Sequence, residues 1–336
     1  MRAVVCEEPG RLALVERPQP EQREGEVLVR VRRMGICGTD FHIFQGKHPY
    51  LEYPRVMGHE LSGTVASAPR GSTLTADEPV YIVPYLSCGH CSACRKGLTN
   101  CCRNIRVLGV HTDGGMTEYL AVPEANVVAA GGISLDDAAM IEFLAIGAHG
   151  VRRGGITEDD RVLVVGAGPI GMAAIIFARA RGADVTVMDT RDDRLGFTIE
   201  ALGAQATVRA DEAAEQELDR LTGGDFFDVV IDATGNTAAM QRGFGFIGHG
   251  GRYVLVSVVR DTISFSDPEF HKRETTLIGS RNAQPEDFAE VVRQMIAGKV
   301  PTRALNTHRG PIADAPALFQ QWLRPEAGVI KAIVEI

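Results

Sequence analysis

The sequence lacks an excess of positive charge. It contains 35 lysine and arginine residues against 43 aspartate and glutamate residues, which gives a formal net charge of -8 at pH 7. Proteins that bind nucleic acid or an anionic membrane through their overall charge are basic, so we exclude both as partners. An anionic substrate is not excluded, because a local basic site can coexist with an acidic total.

A long uninterrupted apolar run is missing as well. The longest run, Val162 to Ala178, is short for a membrane span and is broken by three glycines and a proline. We find no N-terminal basic and apolar signal, no internal repeat and no low-complexity tract. The 336 residues, 45% of them hydrophobic, suffice for about two domains with a sizeable core. We therefore expect a cytoplasmic globular protein without a membrane segment.

The number of cysteines is odd. The chain has 7 of them, and four fall in one short segment. This pattern is typical of a metal site in a reducing compartment rather than of a disulfide framework.

What the sequence does contain is a glycine-rich turn near its middle. Residues 162–171 read VLVVGAGPIG, in which Gly166, Gly168 and Gly171 have the spacing G-x-G-x-x-G. The apolar run before them is typical of a buried parallel strand, and a helical pattern follows. In dinucleotide-binding domains such glycines permit a tight turn, the approach of a pyrophosphate and close helix packing.

The residues after this turn complete the pattern of a nucleotide site. The next predicted strand ends at Asp189, about 20 residues beyond the glycines, where a carboxylate binds the ribose 2′-hydroxyl. We therefore predict a doubly wound domain that binds NAD, with Pro169, Ile170 and Arg194 as further cofactor-binding residues. Arg191 argues for NADP, because a nearby arginine can accommodate its 2′-phosphate. A doubly wound domain that binds no nucleotide is the alternative.

The first part of the chain has the pattern of short antiparallel strands, and its loops carry candidate metal ligands. One loop, at residues 35–42, reads GICGTDFH, and a second contains Gly58, His59 and Glu60. Cysteine, histidine and carboxylate are zinc ligands. Taken singly, Cys37 is more typical of a buried small residue and His59 of a loop histidine. Together they predict a metal site.

A third loop contains the clustered cysteines. Cys88, Cys91 and Cys94 are followed by two adjacent candidates, Cys101 and Cys102. The spacing C-x2-C-x2-C-x7-C lets one small lobe surround a tetrahedral ion, which indicates a closed structural zinc site. An iron–sulfur cluster is the alternative, but its bacterial motif has a shorter last gap and a final proline. Spacing alone does not distinguish Cys101 from Cys102.

One carboxylate stands in an apolar setting. Glu142 lies in the run MIEFL at residues 140–144, next to a helix that is predicted to start at Ser134 and to run through Ile141. Burial of an unpaired charge is costly. Glu142 is therefore either ion-paired at a domain junction or bound at or near the metal.

With these motifs in this order, the chain resembles the zinc-dependent medium-chain dehydrogenase/reductase family over essentially its whole length. Glu142 at the family's Glu-Pro-Leu position resembles the polyol, threonine and sugar-acid branch. The resemblance implies an α/β fold: a GroES-like β-rich catalytic domain at 1–142 and 284–336, with a zinc lobe at 88–102, and a Rossmann NAD-binding domain at 143–283. It further implies an active site in the cleft between the domains and a homo-oligomer, either dimer or tetramer.

The resemblance also implies a role for each candidate residue. The catalytic-zinc residues are Cys37, His59 and Glu142, with Glu60 as a near ligand that exchanges with water. The structural-zinc residues are Cys88, Cys91, Cys94 and Cys102. Asp40 would orient His59, Thr39 would accept the substrate's hydroxyl proton, and His42 would pass it towards solvent.

The implied reaction is NAD-dependent oxidation of a secondary alcohol in a small polyhydroxylated substrate. Residues 99–102 with 110–115, and 266–274 with 279–283, resemble the sugar-acid-oxidising members. We therefore expect a hexonate such as L-galactonate or L-gulonate, oxidised at carbon 5. Arg281, after the last predicted Rossmann strand, is the candidate partner of the carboxylate, and Asn282 and His111 are candidates for the hydroxyl groups. Pairing of Arg281 with Glu142 or Glu60 is the alternative.

Two further substrates fit the same motifs. A polyol dehydrogenase and an L-threonine 3-dehydrogenase are the alternatives within the branch. A zinc-free quinone reductase of the superfamily lacks the ligand set seen here, and a non-enzymatic relative would have lost Cys37, His59 or Glu142.

Overall fold

The computed structural model describes residues 1–48 and 51–336, which form two compact units. The first unit comprises Met1–Glu142, Val292–Gly298 and Thr302–Ile336. The second comprises Phe143–Val291 and Lys299–Pro301. Among the described residues, no helix is long and apolar enough to cross a membrane.

The secondary structure is numbered along the chain. The strands are β1 (Arg2–Glu8), β2 (Arg11–Glu16), β3 (Glu26–Ile36), β4 (Arg55–Val56), β5 (Glu60–Ser67), β6 (Pro79–Ile82), β7 (Tyr85–Leu86), β8 (Arg106–Val107), β9 (Tyr119–Pro123), β10 (Val127–Ala129), β11 (Arg161–Val165), β12 (Asp184–Asp189), β13 (Ala206–Arg209), β14 (Phe227–Asp232), β15 (Ile247–Leu255), β16 (Thr276–Gly279), β17 (Asn306–Pro311) and β18 (Lys331–Glu335). The α-helices are α1 (Gly38–Phe44), α2 (Ser92–Arg95), α3 (Leu135–Ala138), α4 (Ile141–Arg153), α5 (Pro169–Ala180), α6 (Asp192–Leu202), α7 (Ala214–Thr222), α8 (Thr237–Arg242), α9 (Asp267–Lys272), α10 (Pro285–Ile296), α11 (Thr302–Leu305) and α12 (Ala315–Trp322).

The first unit is built around the long strand β3. Its buried valines Val27, Val29 and Val31 belong to the apolar core of the unit. The strand lies inside a sheet of order β10-β6-β5-β3-β18-β17, and β9 also pairs with it. The register places Gly35 opposite Glu60 and Ile36 opposite Ala332. The end of β3 and the starts of β5 and β18 therefore meet at one place.

The second unit contains a parallel sheet of order β13-β12-β11-β14-β15-β16. The chain builds outward from β11 to β13 and then returns to build outward from β14 to β16. Strand order therefore reverses between β11 and β14, and ligands bind beyond the carboxyl ends of the strands at such a point. Val162 to Val164 in β11 are fully buried, as a central parallel strand requires.

The structure differs from the sequence-based prediction at the end of one helix and at one domain boundary. Ser134 caps a helix as predicted, with its Oγ accepting a bond from the Asp137 N–H, but α3 stops at Ala138 and α4 starts at Ile141. Residues 284–291, which the sequence-based division assigned to the catalytic domain, belong to the second unit. The physical reason is that Asp287 of α10 binds His149 and Arg152 of α4.

Candidate metal and cofactor sites

The meeting point of β3, β5 and β18 carries a group of metal-binding side chains. Cys37 follows β3 and caps α1, and His59 and Glu60 stand at the start of β5. One donor atom from each of these three residues lies within 4.8 Å of the others. Gly35 is required beside them, because a Cβ there would stand 2.2 Å from Glu60 Oε2.

Asp40 lies behind this group. Its side chain is fully buried on α1, where Oδ2 accepts a bond of 2.9 Å from the Cys37 N–H. Its Oδ1 faces His59 Nδ1 at 3.9 Å. Burial acts to lower the pKa of His59, but Asp40 and Cys37 outweigh burial and raise that pKa well above its usual value. A carboxylate behind the imidazole is the arrangement that orients histidine ligands.

Glu142 lies in the first turn of α4, and its carboxyl group interacts electrostatically with His59 and Glu60. Its Oε1 accepts a hydrogen bond from the Tyr85 hydroxyl. Burial raises the pKa of Glu142, and His59 acts against that rise. The ligand grouping thus brings together Cys37, His59 and Glu60, whereas Glu142 stands beside it with Tyr85 as its partner.

Glu60 has a charged partner that the sequence did not reveal. Lys331, at the start of β18, is 1% exposed and donates to both carboxylate oxygens of Glu60 at 2.6 Å. It also donates to the Ile36 carbonyl at 3.1 Å. The signal in the sequence is a single charge inside the apolar run 329–334, VIKAIV.

This site fits a zinc ion. It combines thiol, imidazole and carboxylate donors, which are the ligand types of zinc. Glu142 Oε2 is buried without a hydrogen-bond partner among the residues that the structure describes. Such an orphaned atom is rare in folded proteins unless an ion or water satisfies it.

The clustered cysteines form a second donor group. Cys88, Cys91, Cys94 and Cys102 bring their sulfur atoms within 4.8 Å of one another. The Cys88 N–H donates to Cys102 Sγ at 3.2 Å. The backbone N–H groups of Cys94 and Arg103 lower the pKa of Cys91 to about 6, whereas desolvation and the neighbouring sulfur atoms raise the pKa of Cys94 to about 11. Cys101 is exposed and lies outside this group.

The glycine loop of the second unit has the form of a pyrophosphate cradle. Gly166 has φ 97°, and Gly168 caps α5 with Pro169 in the first turn. A Cβ on Gly171 would stand 1.8 Å from the Gly166 carbonyl oxygen, so the helix packs directly on the loop. A Cβ on Gly168 would meet no atom of the described chain within 4 Å. The loop therefore leaves open space at the helix N-terminus, where a pyrophosphate fits. Ile170 follows Pro169 in that first turn.

Asp189 lies beside this loop at the end of β12. Its Oδ2 accepts a bond of 2.6 Å from the Ala167 N–H, and its Oδ1 accepts one of 2.9 Å from the Arg191 N–H. These bonds fix the orientation of the carboxylate beside the glycine loop. Arg194 follows in α6 and is 9% exposed.

The proposed substrate residues lie in different units. Arg281 and Asn282 follow β16 in the second unit, and Asn282 adopts φ 52° with its Nδ2 unpartnered within the described chain. His111 belongs to the first unit, where its Nδ1 accepts a 3.1 Å bond from the Val107 N–H. In the same unit, Thr39 and His42 lie three positions apart on α1 and thus on one face.

Comparison with known proteins places these features in a family. Residues 23–132 match the alcohol dehydrogenase GroES-like domain, and residues 169–297 match the zinc-binding dehydrogenase model. The chain is 42% identical to L-galactonate-5-dehydrogenase of Escherichia coli (strain K12), over 99% of this chain and 98% of that protein. It is 32% identical to D-altritol 5-dehydrogenase of Agrobacterium fabrum, over 95% of each chain.

A solved structure extends the likeness to the fold. The crystal structure of an alcohol dehydrogenase from Escherichia coli CFT073 in complex with NADH has a TM-score of 0.94 and 30% identity, over 100% of this chain and 99% of that one. The predicted combination of a GroES-like domain with a Rossmann-type parallel sheet is therefore confirmed.

Proposed function

The chain belongs to the zinc-dependent medium-chain dehydrogenase/reductase family, and we propose that it oxidises the carbon-5 hydroxyl of a hexonate such as L-galactonate or L-gulonate with NAD. It is an oxidoreductase that acts on a CH–OH group. The observation that carries the substrate proposal is the 42% identity, over the whole chain, to a protein named for its action on L-galactonate.

The residues of the first unit would hold the catalytic zinc. Cys37, His59 and a carboxylate supply the donor set, and Asp40 Oδ1 faces the imidazole Nδ1 at 3.9 Å. When bound, zinc supplies a Lewis acid that lowers the pKa of an alcohol, and nicotinamide supplies the hydride acceptor. Because Lys331 binds both oxygens of Glu60, we assign Glu60 to the role of an exchanging near ligand and Glu142 to that of a direct one. The four clustered cysteines would hold the structural zinc.

The hydroxyl proton leaves through α1. Thr39 is half-buried and His42 is exposed on the same face, so a proton accepted at the Thr39 hydroxyl has a route towards solvent. Partial desolvation of the ring and the charge of Lys47 lower the pKa of His42, which keeps the ring neutral near pH 7 and able to accept that proton. The reaction releases one proton and transfers one hydride, and it leaves a 5-keto acid and NADH.

The residues of the second unit would bind the cofactor. Gly166, Gly168 and Gly171 leave room for the pyrophosphate at the start of α5. Asp189, fixed by two backbone N–H groups, would accept bonds from the ribose hydroxyls and repel a 2′-phosphate. We therefore propose a preference for NAD over NADP.

Arg281 is proposed to pair with the carboxylate of the substrate. A guanidinium binds a carboxylate through two hydrogen bonds. Asn282 and His111 are proposed as contacts for the substrate hydroxyl groups.

Arg281→Ala tests this substrate class. We expect kcat/KM for L-galactonate to fall by about 10-fold or more, which matches the roughly 1.5–3 kcal/mol of a charged hydrogen bond. The matched control is galactitol, an uncharged polyol of the same length, for which kcat/KM should change little. Equal losses on both substrates would assign Arg281 to an internal ion pair. Faster oxidation of galactitol or L-threonine than of hexonates by the unaltered enzyme would reject the hexonate proposal.

We also propose a homo-oligomer, either dimer or tetramer. β16 is the last strand in the sheet order, and its Leu277 is 41% exposed. An uncovered apolar edge strand is a ready site for pairing with another chain. Native mass spectrometry should therefore show an oligomer that Leu277→Lys weakens. A monomeric unaltered protein would reject this proposal.

Finally, we propose that the protein works in a reducing, cytoplasmic compartment. All seven cysteines are free thiols, and four of them form the proposed zinc group. An oxidising compartment would convert such a group to disulfides. Fractionation of the producing cells should place the activity in the cytoplasm, and secreted activity would contradict the proposal.

A further inference from the structure

The side chain of Arg191 is held by a neighbouring carboxylate. Arg191 directly precedes α6, two positions after Asp189. Its Nε donates to Asp193 Oδ1 at 3.0 Å, and its Nη2 donates to Asp193 Oδ2 at 2.6 Å. Both carboxylate oxygens of Asp193 are thus used in a bidentate contact. The Arg191 backbone N–H, by contrast, donates to Asp189 Oδ1 at 2.9 Å.

This contact matters for the choice of cofactor. NADP differs from NAD by a phosphate on the adenosine ribose 2′-oxygen, the position proposed above to lie beside Asp189. An arginine at this place is the group that would bind such a phosphate, and a guanidinium uses the same two-pronged geometry for phosphate as for carboxylate. Asp193 therefore competes with the phosphate for the same donor atoms of Arg191.

We propose that Asp193 determines cofactor specificity by occupying the guanidinium of Arg191 and keeping it from a 2′-phosphate. Asp193 is a positioning residue, because it acts through Arg191, whereas Asp189 repels the phosphate directly. The inference rests on the proposed use of NAD. The hydrogen bonds of the pair raise the pKa of Arg191 and lower that of Asp193, which agrees with a mutual charged contact.

The adjacent carboxylate provides a matched control. Asp192 lies in the same first turn of α6 but pairs with Arg209 rather than with Arg191. Asp192→Asn therefore removes one negative charge close to the same place and leaves the Arg191–Asp193 contact intact. Asp193→Asn removes one charge and the contact together. The difference between the two variants isolates the role of Arg191.

The primary measurement is the dissociation constant of NADPH, followed by nucleotide fluorescence and independent of turnover. The Arg191–Asp193 pair is partly exposed, with side-chain exposures of 39% and 60%, so its release should have a moderate effect. We expect Asp193→Asn to tighten NADPH binding by about 3- to 10-fold and to raise kcat/KM for NADP by the same factor. NADH binding should stay within about 2-fold, Asp192→Asn should change little, and Asp193→Glu should retain the original preference.

Removal of Arg191 completes the test. In the Asp193→Asn background, Arg191→Ala should abolish the gain. No gain in Asp193→Asn, an equal gain in Asp192→Asn, or a gain that persists in the double variant would each overturn the inference. Preference of the unaltered enzyme for NADP would instead reject the proposed function, and it is measured separately.

Discussion

At the scale of single residues, the buried ion pair of Lys331 and Glu60 contributes to the stability of the fold only while both charges are present. Lys331 is 1% exposed and binds both oxygens of a fully buried carboxylate. Each charge is tolerated because the other is present. Removal of one partner leaves the other buried and uncompensated.

Lys331→Met should therefore destabilise the protein more than a change of similar size elsewhere in β18. We expect a loss of about 3 kcal/mol in the free energy of unfolding, the order measured when one partner of a buried ion pair is removed. The measurement is urea unfolding at a fixed zinc concentration. Addition of Glu60→Gln should restore at least half of the loss, because the orphaned charge is then gone. A double variant no more stable than Lys331→Met would mean that Lys331 acts through packing alone.

The adjacent residues Cys101 and Cys102 differ in whether they belong to the four-cysteine group. Cys102 Sγ lies within the four-sulfur group and accepts the Cys88 N–H, whereas Cys101 is exposed. Cys102→Ser should lower the zinc content from two ions per chain to about one, because a structural zinc site needs four ligands. Mass spectrometry under native conditions measures this directly. Cys101→Ser is the control and should retain both ions; the reverse result would exchange the two assignments.

The sequence alone predicted many of the candidate site residues, because short motifs keep them close along the chain. Cys37, Asp40 and His42 lie within six consecutive residues, and the four cysteines lie within residues 88–102. It did not predict Tyr85 or Lys331, whose roles depend on strand register across long separations. Lys331 meets Glu60 only because β18 pairs with β3 and β3 pairs with β5.

At the scale of elements, α4 and α10 are joined by a charged network within the second unit. Asp287 Oδ2 pairs with His149 Nδ1 at 2.8 Å, and its Oδ1 accepts a bond of 2.7 Å from Arg152 Nε. The Gln284 N–H donates to Oδ2 at 2.8 Å. Burial acts to raise the pKa of Asp287, but the bonds from His149 and Arg152 outweigh it, and the pKa falls from 3.8 to about 2.

This network should make stability depend on acid pH. A carboxyl with a lowered pKa in the folded state contributes stability above its unfolded pKa, and the contribution disappears as pH falls from about 4 to about 2. The lowered pKa of Asp287 corresponds to about 1–2 kcal/mol in the free energy of unfolding, after allowance for the solvent exposure of Arg152.

Asp287→Asn tests the network. The variant should be less stable than the unaltered protein by that amount from pH 7 to 5, and the difference should shrink as pH falls from about 4 to about 2. Urea unfolding followed by circular dichroism gives the free energies. Glu286→Gln, which removes a more exposed partner of Arg152, should show little difference. A gap between Asp287→Asn and the unaltered protein that is constant at every pH would contradict the assigned pKa.

Element boundaries were harder to predict than element types. A single helix from Ser134 onward is typical of that sequence, yet the chain turns at Ala139 and Met140 and begins α4 at Ile141. This break places Glu142 in the first turn of a new helix, where its side chain reaches Tyr85. Residues 284–291 follow the second unit because a network of side chains holds them there, which periodicity does not reveal.

At the scale of the whole molecule, the two units divide the proposed chemistry. The first holds both groups of candidate zinc ligands, and the second holds the glycine loop and Asp189. The α/β class and the glycine loop were predictable because strand and helix periodicity and glycine spacing are local signals. The return of the C-terminal segment to the first unit was expected from the resemblance, but the strand order was not, because the pairing of β18 with β3 and β17 has no local signal in the sequence.

The central claim is that a hydride moves from carbon 5 of a hexonate to NAD, and the fate of a deuterium label tests it most directly. We predict that L-galactonate deuterated at carbon 5 yields a 5-keto acid and NADH that carries the deuterium at nicotinamide carbon 4, as nuclear magnetic resonance would show. A deuterium placed on carbon 2 should stay in the acid. Unlabelled NADH from the carbon-5 substrate, or labelled NADH from the carbon-2 substrate, would contradict the account.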